Sequence, residues 1–313
     1  MTGETLEHAK ELQGATEKGA RPRERVIEAR DLRKSYGATK AVDGVSFEVG
    51  RGEVFGLLGP NGAGKTTTVE ILEGLRKPDG GSVSVLGIDV ARNPDALKER
   101  IGVSLQTAAL YPKLSVAEIL DLFRSFYRRT RPRDELIELL DLGEKRATRT
   151  EQLSGGQRQR LGVALSLVND PEIVFLDEPT TGMDPAARRS LWDIVRSLKA
   201  EGRSILLTTH YMEEAEVLCD RIAIMDHGRI LETGTVEDLV SRRFRERAIQ
   251  FAAIDGLDGN RLSAMPGVTD VKREDDQVLL YTSDVPATIG ALLAATEALG
   301  AEARNLAVRR ATL

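Results

Sequence analysis

The chain has 313 residues, 41% of them apolar and 30% charged, with a formal net charge of −5. That length suits a large domain plus a small one, and either can bury a core. No apolar run approaches the roughly 18 residues that cross a bilayer, so a membrane role has to come through a partner, and the mild acidity argues against a nucleic-acid surface.

Residues 1–25 are mostly charged and small and lack the apolar segment of a secretory signal; they read as a solvated, disordered tail on a cytoplasmic protein. A first domain is expected over 26–240. It opens with short β-rich segments, "VIEARDL", "AVDGVSFEV", "EVFGLL" and "GSVSVLGIDV", separated by Gly, Asp and Pro. Directly after "EVFGLL" comes a glycine-rich stretch, and then "KTTTVEILEGL", which sets Val69, Leu72 and Leu75 on one helical face. A helical insertion is predicted over about 105–165. Within it Val116, Ile119, Leu120, Phe123, Phe126 and Tyr127 recur at helical spacing, giving residues of about 115–142 one apolar face.

Two almost wholly apolar runs follow, "IVFL" (173–176) and "ILL" (205–207), each succeeded by polar residues and a helical pattern, as suits parallel strands covered on both faces. The single cysteine, Cys219, cannot form an internal disulfide, and its neighbours Val217, Leu218 and Ile222 predict a buried structural thiol. A second unit is expected over 243–313. "AIQFAAI", "VTDVKRE", "QVLLYTS" and "ARNLAVRR" read as strands, with helices near Gly259 to Ala264 and Pro286 to Leu299. The order β-α-β-β-α-β is that of a small ferredoxin-like domain. Alternating strands and helices in the first domain predict an α/β fold whose ligands sit at the carboxyl ends of the strands.

That rule gives the glycine-rich stretch its meaning. Gly59, Pro60, Asn61, Gly62, Ala63, Gly64, Lys65, Thr66 and Thr67 lie between a predicted strand and a predicted helix, and contain G-x-x-x-x-G-K-T. A bare turn with a solvated lysine would need neither flank. As a phosphate loop, its main-chain N–H groups would turn towards a triphosphate, the Lys65 ammonium would reach the β and γ oxygens, and the Thr66 hydroxyl would face Mg²⁺. "IVFLDEP" ends a strand with Asp177 and Glu178, adjacent residues that strand alternation sends to opposite faces. Asp177 suits the hard-oxygen shell of Mg²⁺, and Glu178 the water that attacks the γ-phosphate. "LSGGQ", with Ser154 before two glycines, reads as a cap and turn opening a helix.

With these motifs in this order, residues 26 to about 240 resemble the ATP-binding subunits of ABC transporters. The resemblance implies a P-loop core with an antiparallel β subdomain and a helical insertion, and it gives roles to further residues. Tyr36 of "KSYG" matches the aromatic that stacks on adenine, and Gln106 the glutamine that senses Mg²⁺ and faces the membrane partner. Ser154, Gly155, Gly156 and Gln157 match the signature, Asp184 the loop that meets the opposite subunit, and His210 the histidine at the γ-phosphate. Met183 stands where leucine is usual, an apolar exchange. Such subunits bind ATP and Mg²⁺ head to tail as dimers and drive separate membrane-spanning permeases from the inner face of the membrane.

"ILEGL", "TTHYMEEAE" and "CDRIAIMDHGRI" further resemble the ATPases of ABC-2 drug exporters, the daunorubicin-resistance type, whose chains run on into an acidic-apolar tail; this sequence stops at Leu313, as a shorter native chain or a truncated one. One alternative, a soluble ABC-type ATPase not coupled to transport, would be expected to show long coiled coils or a second cassette, and the sequence has neither; the other, a non-hydrolysing nucleotide-dependent regulator whose C-terminal unit binds a small ligand, is opposed by the presence of both Glu178 and His210.

Overall fold

The computed structural model describes residues 24–104, 110–243, 247–274 and 276–310. These divide after Thr233 into two compact units. In the first, strands β1 (Arg25–Tyr36), β2 (Thr39–Gly50), β4 (Gly80–Val85) and β5 (Ile88–Asp89) form an antiparallel sheet of order β2-β1-β4-β5. The central sheet has the order β10-β9-β3-β8-β7-β6, built from β3 (Val54–Leu58), β6 (Ile101–Ser104), β7 (Ile173–Asp177), β8 (Ser204–Thr209), β9 (Arg221–Asp226) and β10 (Arg229–Gly234).

Side-chain alternation sorts the apolar strands of the central sheet between two cores. Phe55, Leu57, Ile173, Phe175 and Leu206 join the antiparallel sheet and the helix Lys65–Leu72 in one core, where Phe47 stacks on Phe55 with ring centroids 5.3 Å apart. Val54, Val174, Leu176, Ile205 and Leu207 point the other way, into a core with the helices Val116–Arg124, Arg133–Leu139, Gly155–Ser166 and Pro185–Ala200. Strands buried on both faces lose the polar-apolar alternation that marks a half-exposed strand, which is why "IVFL" and "ILL" read as continuous apolar runs.

Parallel register places the chemistry. Leu58 pairs with Thr209 across β3 and β8, and Asp177 with Thr208 across β7 and β8. The residues that follow these three strands, Gly59, Glu178 and His210, therefore leave the sheet at one edge.

Two helical expectations change. Leu75 is 60% exposed, because the first helix stops at Leu72 and Gly74 turns the chain with φ of 75°. Only Val69 and Leu72 of the expected face are buried. The stretch 115–142 is two short helices, with Phe126 62% exposed between them. Ser125 closes the first by donating its hydroxyl to the Leu122 carbonyl, and Pro132 precedes the second, so the apolar stripe is interrupted by an arginine-rich turn.

The second unit has its own core around Ile249, Phe251, Leu262, Val278, Leu280 and Leu292. Its elements run helix Val236–Arg243, β11 (Arg247–Ala252), helix Gly259–Ser263, β12 (Val268–Glu274), β13 (Gln277–Thr282), helix Val285–Ala298 and β14 (Ala307–Arg310). The sheet order is β12-β13-β11-β14, and each neighbouring pair is antiparallel.

In the first unit the start of β6 is held by one buried side chain: Asn169 donates from Nδ2 to the Ile101 carbonyl at 2.8 Å and reaches those of Lys98 and Glu99 at 3.3 and 3.4 Å. Removing it leaves these carbonyls without their donor. Asn169→Ala is expected to lower the unfolding free energy by about 2 kcal/mol in urea titrations.

Candidate functional site

The glycine-rich loop is held tightly at both ends. Gly59 donates its N–H to the Thr209 carbonyl, and a side-chain carbon there would lie 2.2 Å from the Met225 carbonyl oxygen. Gly64 caps the helix Lys65–Leu72 with φ of 99°, and a side chain on it would meet the Ala41 carbonyl oxygen at 2.2 Å. Only glycine satisfies both demands at that position. The Lys65 side chain, 4% exposed, folds back into the loop: Nζ donates to the carbonyls of Gly59 (2.8 Å) and Pro60 (3.2 Å) and stands 3.3 Å from Glu178 Oε1.

Strand alternation does not separate the two carboxylates as expected. Glu178 follows the last residue of β7 with φ of 47°, and this left-handed turn brings both acids to the loop. Asp177 lies 3.2 Å from the Thr66 hydroxyl, while Glu178 meets Lys65 and lies 3.3 Å from His210 Nδ1. Sequence reasoning missed the residue that holds both. Thr208, in the neighbouring strand, donates its hydroxyl to Asp177 and accepts the Glu178 N–H at 3.0 Å. Its only signal is a threonine pair closing an otherwise apolar strand.

Burial pushes the Glu178 carboxyl upward in pKa, but the Lys65 ammonium, a hydrogen bond from Thr181 and the adjacent His210 outweigh it. The carboxyl is held below the ordinary value of 4.5, so it is ionised at neutral pH.

Tyr36, Asn61, Gly62, Gly64, Lys65, Thr66, Thr67 and Glu178 line one cavity of about 430 Å³. Lys34 and Arg76 lie over the Tyr36 ring, with Nζ 5.9 Å and the guanidinium carbon 5.3 Å from its centroid. Ser154, Gly155, Gly156, Gln157, Met183 and Asp184 line a separate cavity of about 530 Å³. There Ser154 and Gln157 form a reciprocal cap on the helix Gly155–Ser166, and Asp184 caps the helix Pro185–Ala200 through the N–H groups of Ala186 and Ala187, contacts that lower its pKa. The chain thus gathers the predicted residues into two clusters. Gln106 lies outside the described residues.

The family model for ABC transporters matches residues 42–181. The daunorubicin resistance ATP-binding protein DrrA3 of Streptomyces coeruleorubidus is 44% identical over 288 residues, 90% of either chain. The chain belongs to the ATP-binding subunits of ABC transporters. A Nod factor export ATP-binding protein I from Ralstonia nicotianae is 39% identical, over 87% of this chain and 86% of its own. Among solved structures, a dimeric post-hydrolysis ATP-binding cassette bound to ADP and Pi matches 67% of this chain and 98% of its own length, with 26% identity and a TM-score of 0.62. As an ABC ATP-binding subunit, the chain binds and hydrolyses ATP to power transport by separate membrane-spanning subunits; no helix among its described residues is long and apolar enough to cross a membrane.

The donor set of this subunit fits Mg²⁺. That ion binds through one or two carboxylates and hydroxyls, with substrate phosphate and water completing its shell, and Asp177 and Thr66 place a carboxylate and a hydroxyl together beside the loop. Among the described residues no group of three or more His, Cys, Asp or Glu forms a dedicated metal cage.

Cys219 is a partly exposed residue whose sulfur packs against Gly56, and burial of the thiol raises its pKa, which keeps it protonated at neutral pH. Glu73 is a further buried acid, one that the sequence did not disclose. Burial, with help from Asp177 and Glu70, pushes its carboxyl up to about 8. A carboxyl raised in the folded chain favours folding fully only below its unfolded value near 4.5, and that contribution is lost as pH rises through 8. Glu73→Gln is therefore expected to raise the melting temperature more at pH 8 than at pH 5; an equal gain at both would place the carboxyl in water.

Proposed function

We propose that each ATP is enclosed by the phosphate loop of one copy and the Ser154 to Gln157 segment of a second copy or close paralogue, head to tail. The observation that carries this is the contact of Lys65, Glu178 and His210 at the mouth of the loop, while the signature residues line a different cavity of the same chain. A triphosphate entering the loop competes with Glu178 for the Lys65 ammonium. Once the ammonium turns to the β and γ oxygens, Glu178 loses the charge that depresses its pKa and becomes a better base. It then orients water and takes its proton as the water oxygen bonds to the γ phosphorus; the bond to the β-γ bridging oxygen breaks and ADP leaves with that electron pair. His210 would contact the γ-phosphate, and Tyr36 would stack on adenine. Asp177 and Thr66, with Gln106, would hold Mg²⁺, which supplies charge neutralisation at the β and γ oxygens.

The permease would dock through the surface around Gln106 and the helical insertion, with the chain peripheral on the inner face of the cell membrane. Export of drugs, lipids or other hydrophobic compounds is the transport direction that the daunorubicin-resistance and Nod-factor-export relatives support. The β-α-β-β-α-β order of residues 247–310 is read as a ferredoxin-like regulatory domain.

Two variants test the assignment in the full chain. Glu178→Gln is expected to retain ATP binding, cut turnover by roughly 100-fold or more, and accumulate a closed dimer on size-exclusion chromatography. Lys65→Ala should weaken ATP binding by about tenfold or more. Unchanged hydrolysis in Glu178→Gln contradicts its role as base.

A further inference from the structure

Glu214 lies in the stretch "TTHYMEEAE" but has been given no role, and its side chain is fully buried in the helix Met212–Leu218. Its Oε1 accepts the indole N–H of Trp192 at 3.2 Å. Trp192, the only tryptophan of the chain, sits in the helix that Asp184 caps. Burial raises the Glu214 pKa, and the hydroxyls of Thr209 and Thr180, the indole N–H and the Arg188 guanidinium oppose that rise, so all four lie around the carboxylate. Thr209 precedes His210, and its hydroxyl accepts the Tyr211 N–H at 2.9 Å. Thr180 lies in the loop from Glu178 to Asp184.

One contact in this group is unfinished. Glu214 Oε2 and Thr180 Oγ1 are both buried, and neither has a well-formed hydrogen bond. A buried donor and a buried acceptor beside each other gain by closing together, and a small movement of the loop would close them.

We propose that Glu214 is a positioning residue for ATP hydrolysis. Its carboxylate joins the His210 segment, the loop from Glu178 to Asp184 and the Trp192 helix into one moving unit, and Thr180 closes onto Oε2 when ATP is bound. The role rests on those proposed above for Glu178 and His210. Through it, the loop that meets the opposite copy and the histidine that meets the γ-phosphate move together rather than independently.

The test is steady-state ATP hydrolysis by the full chain, with Glu178→Gln as the control that the measured turnover belongs to this site. Glu214→Gln keeps a carbonyl acceptor for Trp192 but puts an amide NH₂ where Oε2 would accept from Thr180. Thr180→Val keeps the volume but removes the hydroxyl, and Thr180→Ser restores it. Each of the first two is expected to lower kcat about tenfold with KM for ATP within about twofold, the double variant being no slower than the slower single. Thr180→Ser should recover most of the rate; ATP is expected to change Trp192 emission in the unsubstituted chain and in Thr180→Ser, and not in Thr180→Val. Wild-type kcat in a folded Glu214→Gln or Thr180→Val, or losses that multiply in the double variant, overturn the proposal. Should Glu214→Gln not fold, the Thr180→Val and Thr180→Ser pair decides by the same criteria. If Glu178→Gln hydrolyses ATP normally, the assignment of the base fails first, and the role of Glu214 falls with it.

Discussion

Everything at the nucleotide site turns on one buried ammonium. A cation at the depth of Lys65 has lost most of its water and has to be matched by negative or dipolar partners. The chain supplies them as the carbonyls of Gly59 and Pro60 and the carboxylate of Glu178. In the mechanism proposed above, the phosphates of ATP replace all three, and doing so frees the carboxylate assigned as the base. On that proposal binding and activation are a single exchange of partners, with the ionised Glu178 beside its cation until a γ-phosphate takes its place.

The exchange requires a loop that does not yield. Carbonyl oxygens of Met225 and Ala41 stand where side chains on Gly59 and Gly64 would be, so neighbouring strands brace the loop directly. The Thr209 carbonyl takes the Gly59 N–H, and Thr208 holds Asp177 and the Glu178 backbone. Both threonines close β8, the strand between β3 and β7. Register in a parallel sheet buried on both faces cannot slip without turning apolar side chains away from their cores, and so the loop, the acids and His210 keep a fixed relation.

What the sequence disclosed was what is encoded locally. The loop, the signature and the apolar strands each carry their pattern within a dozen residues. Less visible were features made by distant contacts. β6 is only "IGVS", too short to carry a period, and is fixed by Asn169 from far along the chain. Thr208 and Glu73 look like ordinary polar residues until burial beside Asp177 gives them their partners or their strain. The expected alternation of Asp177 and Glu178 failed because the strand ends between them, and the apolar spacing of 115–142 concealed a break that Ser125 and Pro132 make on polar and steric grounds.

The partner exchange is tested most directly by ATP affinity in a double-mutant cycle of Lys65 and Glu178, measured by calorimetry on the full chain. If a triphosphate has to take the ammonium from the carboxylate, Glu178→Gln should tighten ATP binding several-fold, roughly 1 kcal/mol, when Lys65 is present. The same change should have no such effect in a Lys65→Met background. Equal effects in both backgrounds, or weaker binding by Glu178→Gln, would contradict the exchange.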